Sequence, residues 1–147
     1  MADSATSDAP AAIGPADRLE IHELAARYGT TIDDRDWIGL SRVFTDDAVF
    51  VLQGFPEGDI RLEGFAAIRS MMEGGRHPVA HHVTNVVIDA GSAGVTMRSK
   101  IVGPGPKGRV GSADYRDRLR LTATGWRIAE RVVTLRSLDG PFAEPTS

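Results

Sequence analysis

The sequence predicts an α+β domain in which N-terminal helices pack against a curved antiparallel sheet, and the two together form a cone-shaped barrel. Residues 16–33 place apolar side chains at the three-to-four spacing of an amphipathic helix. From residue 78 onward, four β-rich segments follow one another, separated by turns rich in glycine and proline. Helices grouped first and strands grouped second are typical of the α+β class. A sheet that curls over helices leaves a small-molecule pocket at its wide end.

The first helix is predicted over residues 16–33, because Pro15 and Asp17 favour a helix start. Its apolar stripe consists of Leu19, Ile21, Leu24, Ala25, Tyr28 and Ile32. The acidic run at 33–36 ends this helix, and Asp36 is suited to cap a second, short helix. The apolar residues of that second helix are Trp37, Leu40, Val43 and Phe44.

A first strand is predicted at 48–52 and a third helix from Phe65 to Met72, which Gly74 and Gly75 close. The four β-rich segments that follow are predicted to be consecutive antiparallel strands. They occupy residues 81–89, 94–102, 109–122 and 126–137.

Residues 115–121 alternate strictly, so that Tyr115 and Asp117 share a face with two leucines while three arginines share the other. Asp117 therefore points toward the interior, where an unpaired carboxylate would be costly. Arg131 has the same strand phase as Val133 in the last strand, but Trp126 and an isoleucine have the opposite phase. A bulge would reconcile the two sets.

Composition narrows the possible chemistry. The chain has 147 residues, a formal net charge of −3 and no cysteine, which excludes thiolate metal sites and cysteine nucleophiles. This weakly acidic balance argues against nucleic acid as the main partner. Only Lys100 and Lys107 are lysines among the 17 basic residues, so lysine chemistry has little support. No segment predicts a membrane span or a leader, and we expect a cytoplasmic protein.

The domain is expected at 15–137, between a disordered N-terminal tail at 1–14 and a C-terminal tail at 138–147. Within it, four polar residues stand among apolar neighbours: Tyr28, Asp33, His81 and Arg131. Each also has a purely structural interpretation. These are a core tyrosine, a turn aspartate, a surface histidine and a salt bridge from Arg131 to Asp117.

Several stretches of the sequence resemble one known family over about residues 15–137. They are Arg18–Ile21, Glu23–Leu24, Arg27–Tyr28, Asp33, Asp36–Trp37, Phe44–Ala48, His81–Asn85 and Gly125–Arg131. They are similar to the SnoaL-like branch of the nuclear transport factor 2-like superfamily. The resemblance implies the α+β cone described above. That superfamily hosts several chemistries on one scaffold, so its fold alone does not settle function.

Within the superfamily, the polar residues look like the site of the hexachlorocyclohexane dehydrochlorinase, bile acid 7α-dehydratase and scytalone dehydratase-type group. The resemblance implies catalytic roles for Tyr28, Asp33, His81 and Arg131. It selects His81 over His82, because His81 opens the His-x-x-Thr-Asn segment of that group. The resemblance implies that Asp33 and His81 form an Asp-His dyad.

Such a dyad can act as a general base near neutral pH, with the carboxylate fixing the histidine tautomer and stabilising the imidazolium. Tyr28 and Arg131 would then donate hydrogen bonds to the leaving or developing oxygen. The strand after His81 lacks the acidic residue of the bile acid enzymes, and Asp117 is the nearest substitute. A salt bridge between Asp117 and Arg131 would instead leave Arg131 a structural role.

The function predicted is a cofactor-independent lyase that acts on a hydrophobic ring compound, steroid-, terpene- or polyketide-like, by base-assisted elimination. An isomerase or cyclase that uses the same dyad, or a non-catalytic binding module, is the alternative. No metal or nucleotide cofactor is indicated, because the histidine spacing and the glycine-rich segments lack the required motifs. The resemblance implies a homodimer or homotrimer. The predicted pocket comprises Trp37, Phe50, Phe65, Val83, Asp117 and Leu135, with Met71 or Met72.

Overall fold

The computed structural model describes residues 12–136, which form three helices and six strands. The predicted C-terminal tail and most of the predicted N-terminal tail lie outside the described residues. The helices are α1 (Pro15–Asp33), α2 (Trp37–Leu40) and α3 (Phe65–Gly74). The strands are β1 (Phe44–Gln53), β2 (Ile60–Glu63), β3 (His82–Gly91), β4 (Gly94–Pro104), β5 (Val110–Thr122) and β6 (Gly125–Arg136). A short 3-10 turn, Pro106–Gly108, joins β4 to β5.

All six strands belong to one curved, open sheet with the order β2-β1-β6-β5-β4-β3. The last four strands form the predicted antiparallel meander. The prediction of a wholly antiparallel sheet is wrong at one place, because β1 runs parallel to β6. Strands so distant in sequence have no connecting turn that reveals their relative direction.

Two element boundaries differ from the prediction. The second helix ends at Leu40, so that Val43 and Phe44 do not belong to it, and β1 begins at Phe44 rather than at residue 48. Phe44 is instead paired with Ile128 of β6. Strand β2 was not predicted, because it has only four residues and none of them is buried. Such a strand gives too short a pattern to recognise.

Helix α1 packs against β3 and β6 and buries the predicted apolar stripe from Ile21 to Ile32, although Leu19 is exposed. Polar contacts fix its first turns. The Trp126 indole N–H donates to Asp17 at 3.0 Å, and the Trp126 backbone N–H donates to Glu20 at 2.8 Å. Burial of each large apolar side chain contributes about 1.5–3 kcal/mol, so this stripe holds the helix on the sheet.

The structure has a bulge in β6 that reconciles the two side-chain phases, which the sequence pattern alone could not place. Arg118 pairs with Glu130 and Leu119 pairs with Ile128, which leaves Ala129 as the extra residue. An extra residue reverses the side-chain alternation of a strand. Ile128 and Arg131 are therefore both buried although three positions separate them.

Among the described residues, no helix is long and apolar enough to cross a membrane.

Candidate active site

Asp33 at the end of α1 and His81, the residue that precedes β3, lie in contact. His81 Nδ1 lies 2.6 Å from Asp33 Oδ1. The His81 backbone N–H also donates to both oxygens of the same carboxylate, at 3.1 and 2.9 Å. The side chains are 7% exposed for His81 and 22% exposed for Asp33. Since Asp33 accepts the Nδ1 proton, the neutral ring has its free lone pair on Nε2.

Gly29 permits this close approach of helix and strand. A Cβ atom at position 29 would lie 2.7 Å from the backbone oxygen of His81, well inside normal contact. Glycine is disfavoured in helix interiors by roughly 0.5–1 kcal/mol. That cost is offset here because only a residue without a side chain lets α1 reach the His81 main chain.

Tyr28 and Tyr115 form the polar end of the aromatic core beside the dyad. The Tyr28 ring packs edge-on against His81, with centroids 6.2 Å apart, and against Tyr115 at 5.6 Å. Burial raises the pKa of the Tyr28 hydroxyl and outweighs the opposing effect of the Arg131 charge. Burial also raises the pKa of Tyr115 well above its ordinary value. Both phenols are therefore protonated near neutral pH. The hydrogen bond between them acts to lower the pKa of Tyr28 and to raise that of Tyr115, so the Tyr115 hydroxyl donates to Tyr28 and the Tyr28 proton is not used in this bond.

Arg131 is engaged in a buried ion pair. Its Nε and Nη2 atoms each donate to Asp117 at 2.7 Å, and both side chains are 0% exposed. The guanidinium carbon lies 4.1 Å from the Tyr28 ring centroid and 4.2 Å from that of Tyr115. Burial acts to lower the pKa of Arg131, but the Asp117 carboxylate outweighs it and the pKa is raised. Arg131 is thus a permanent cation fixed behind two tyrosine rings.

A cavity of about 620 Å³ opens beside these groups, with a mainly apolar wall. His81, Tyr28 and Tyr115 all belong to that wall. Of the predicted pocket residues, four contribute to it: Phe50, Met71, Met72 and Leu135.

The remaining predicted residues do not line this cavity, which corrects the predicted pocket. Trp37, Phe65 and Val83 are partly buried against the hydrophobic core. Asp117 and Arg131 are sealed in their ion pair, so neither is placed to touch a molecule in the cavity. The alternation of β5 predicts correctly that Asp117 faces inward, but an inward direction does not distinguish the core from the cavity.

His77 also lines the cavity, although the sequence pattern predicts no role for it. Its Nε2 lies 2.6 Å from the Met72 carbonyl, to which it donates, and its ring centroid is 5.8 Å from that of His81. Burial lowers the pKa of His77, which favours the neutral ring with a free lone pair on Nδ1. The four-residue spacing to His81 was its only signal. In residues 12–136, no group of three or more His, Asp or Glu side chains is arranged to hold a metal ion.

Known proteins are similar to this chain along most of its length. The SnoaL-like domain family matches residues 16–132. An uncharacterized protein of Mycobacterium tuberculosis (strain H37Rv) is 32% identical over 124 residues, covering 80% of this chain and 84% of its own.

Two solved structures from Novosphingobium aromaticivorans also align along most of the chain. One is a nuclear transport factor 2-like protein with a cystatin-like fold. It has a TM-score of 0.70 and 30% identity, covering 86% of this chain and 85% of its own. The other is described as a candidate aromatic ring hydroxylase. Its TM-score is 0.68 and its identity 28%, covering 87% of this chain and 98% of its own. The family match and these alignments show that the chain belongs to the SnoaL-like domain family, with the nuclear transport factor 2-like fold.

Proposed function

We propose that this protein is a cofactor-independent lyase, dehydratase-like, that eliminates water from a hydrophobic ring compound. The observation that carries the proposal is the 2.6 Å contact between His81 Nδ1 and Asp33, on a histidine whose ring lies in the wall of an apolar cavity. A histidine that only filled the core would not need to line a cavity. A ring held by a carboxylate on one nitrogen has the other nitrogen free for a proton from carbon.

The reaction balances with one base. His81 Nε2 takes a proton from the carbon next to a carbonyl, and the C–H electron pair forms the enolate. The enolate then expels a hydroxyl group from the β carbon as the C=C bond forms. The imidazolium returns its proton to the departing oxygen, which leaves as water and restores the neutral histidine. A single dyad therefore suffices, and the acidic residue missing from the strand after His81 is not required.

Tyr28 supplies the hydrogen bond to the developing enolate oxygen. A donor of this kind in a dry site contributes about 2–4 kcal/mol to transition-state stabilisation. Asp33 stabilises the imidazolium that forms beside it. Arg131 acts as a positioning residue, because its ion pair with Asp117 holds a positive charge against the face of the Tyr28 ring.

The cavity favours an apolar ring substrate. Its volume of about 620 Å³ lies within the range of about 300–1,000 Å³ typical of small-molecule sites. Phe50, Met71 and Leu135 give the wall apolar surface. This lining suits steroid-, terpene- or polyketide-like compounds.

The experiment uses a panel of hydrophobic cyclic β-hydroxyketones incubated with the protein in deuterated water and followed by mass spectrometry. We expect loss of one water from at least one compound. His81→Gln should abolish this loss, whereas His82→Gln should retain it, because His82 is the exposed neighbour. Deuterium incorporation that depends on His81 but occurs without loss of water would instead favour an isomerase or cyclase. Compounds that bind and come back unchanged and undeuterated would contradict catalysis and leave a binding module.

A further inference from the structure

Two arginines of the cavity wall lie on two segments that we call its rim, residues 75–79 and 103–109. Arg76 follows α3, Arg109 follows the turn between β4 and β5, and both are exposed residues of the cavity wall. The two segments are joined, because the Val79 N–H donates to the Pro104 carbonyl at 2.8 Å and the Gly105 N–H donates to the Arg109 carbonyl at 2.7 Å. The rim is therefore one continuous structure that carries both cations.

No acidic side chain of the described residues forms an ion pair with these two arginines. None of the described residues of the cavity wall is Asp or Glu, although the chain has 20 acidic residues. Among residues 12–136, neither Arg76 nor Arg109 has an ion-pair partner, whereas Arg69 on the preceding helix α3 pairs with Glu73 at 2.7 Å. The wall thus combines apolar surface with positive charge only.

We propose that the ligand of this cavity is an amphipathic ring compound that carries an anionic oxygen group, such as a carboxylate or sulfonate. Arg76 and Arg109 bind the anion at the rim, and the ring lies against the apolar wall beside His81. This inference rests on the proposed function for its reaction but concerns the substrate class. The anion adds no chemistry to the elimination and serves to orient the ring.

The test compares two fluorescent probes that share one ring system. Anilinonaphthalene sulfonate carries an anionic group, and N-phenylnaphthylamine lacks it. We expect the wild-type protein to bind the sulfonate more tightly. In the double variant Arg76→Gln/Arg109→Gln, the Kd of the sulfonate should rise about 2–30-fold, as two partly solvated ion pairs predict. The Kd of the neutral probe should not change. Arg116→Gln, which removes the same charge from an exposed position on β5, is the matched control and should change neither.

Added inorganic sulfate distinguishes a free anion from an anion on the ligand. If sulfate strengthens binding of the neutral probe to the level of the sulfonate, the rim binds free oxyanions and the inference as stated is overturned. Equal affinity for both probes, or an unchanged sulfonate Kd in the double variant, also overturns it, as does the failure of both probes to bind.

These outcomes are separate from those of the proposed reaction. His81→Gln should still bind the sulfonate probe, because His81 does not carry the rim charge. A protein that dehydrates a ketone but does not prefer the anionic probe keeps the proposed function and loses this inference. A protein that prefers the anionic probe but shows no His81-dependent chemistry keeps this inference and loses the proposed function.

Discussion

Replacement of Asp117 and replacement of Arg131, the two partners of the buried ion pair, should destabilise the fold by different amounts. Both side chains are 0% exposed, and two hydrogen bonds of 2.7 Å join them. If Arg131 becomes Met, the Asp117 carboxylate is left buried without its partner, and it can escape by taking up a proton. That escape costs at most about 4 kcal/mol at neutral pH, since a carboxyl must then be protonated roughly three pH units above its ordinary pKa. If Asp117 becomes Leu, the arginine has no such escape, because a guanidinium does not lose its proton in proteins.

We therefore expect Asp117→Leu to destabilise the fold more than Arg131→Met. Removal of one partner of a buried pair typically costs about 3–5 kcal/mol, and Asp117→Leu belongs at the upper end of that range. The double variant Asp117→Leu/Arg131→Met leaves no buried charge, so its stability should lie closer to wild type than that of either single variant. The loss in Arg131→Met should also shrink as the pH falls, by up to about 1.4 kcal/mol per pH unit, because its folded state takes up a proton that the unfolded state lacks.

Urea unfolding followed by the fluorescence of buried Trp126 measures these differences at several pH values. The reasoning is refuted if the two single variants lose equal stability with no pH dependence, or if the losses add in the double variant. Binding of the neutral naphthylamine probe to the double variant is the accompanying control. Retained binding would show that the pair supports the fold and does not contact the ligand.

Three further changes test other parts of the site. Gly29→Ala should weaken activity at least about tenfold while the protein remains folded. The new Cβ would lie 2.7 Å from the His81 carbonyl oxygen and would displace the His81 ring. Turnover of a confirmed substrate measures the activity, and circular dichroism measures the folding. Asp33→Asn should lower kcat by about 10³–10⁴-fold with KM little changed, because an amide can hold the wrong tautomer of His81. An unchanged kcat would exclude the Asp33–His81 dyad as the catalytic base. The Arg136 hydrogen bond holds the pKa of Asp114 at about 2, below its usual 3.8. The ionised carboxylate therefore stabilises the fold above pH 3.8, and this contribution is lost as the pH falls toward 2. The difference in free energy of unfolding between wild type and Asp114→Asn, measured with urea, should therefore become smaller as the pH falls. A difference that does not change with pH would contradict this role of Asp114.

The sequence predicts the inward ion pair because its cause is local. Strict alternation places Asp117 on the inner face of β5, and the conflict between Ile128 and Arg131 requires the bulge that the structure has at Ala129. The contact of Asp33 with His81 joins residues 48 positions apart, and no local pattern specifies it. It was expected only because their surrounding motifs resemble a known family.

The cavity wall was less predictable for a physical reason. Periodicity tells which side chains leave the solvent, but a residue that leaves solvent can enter either the core or a cavity. Trp37 and Phe65 pack against the core, whereas Phe50 lines the cavity, and all three have the same apolar character. The rim arginines are exposed, so burial patterns carry no information about them. Only the three-dimensional path of the β4–β5 turn brings Arg109 to the segment that holds Arg76.

The Asp33 carboxylate has a structural task besides the one proposed in catalysis. It accepts the His81 backbone N–H with both oxygens, so it joins the end of α1 to the start of β3 even when the imidazole is absent. His81→Gln keeps that backbone connection, while Asp33→Ala removes it together with the side-chain contact. If the carboxylate only supports the fold, the two variants differ in stability and neither affects the chemistry. If the dyad is the base, both variants lose turnover, and the stability that Asp33→Ala loses beyond His81→Gln measures how strongly the backbone contacts of the same carboxylate fix the helix to the sheet.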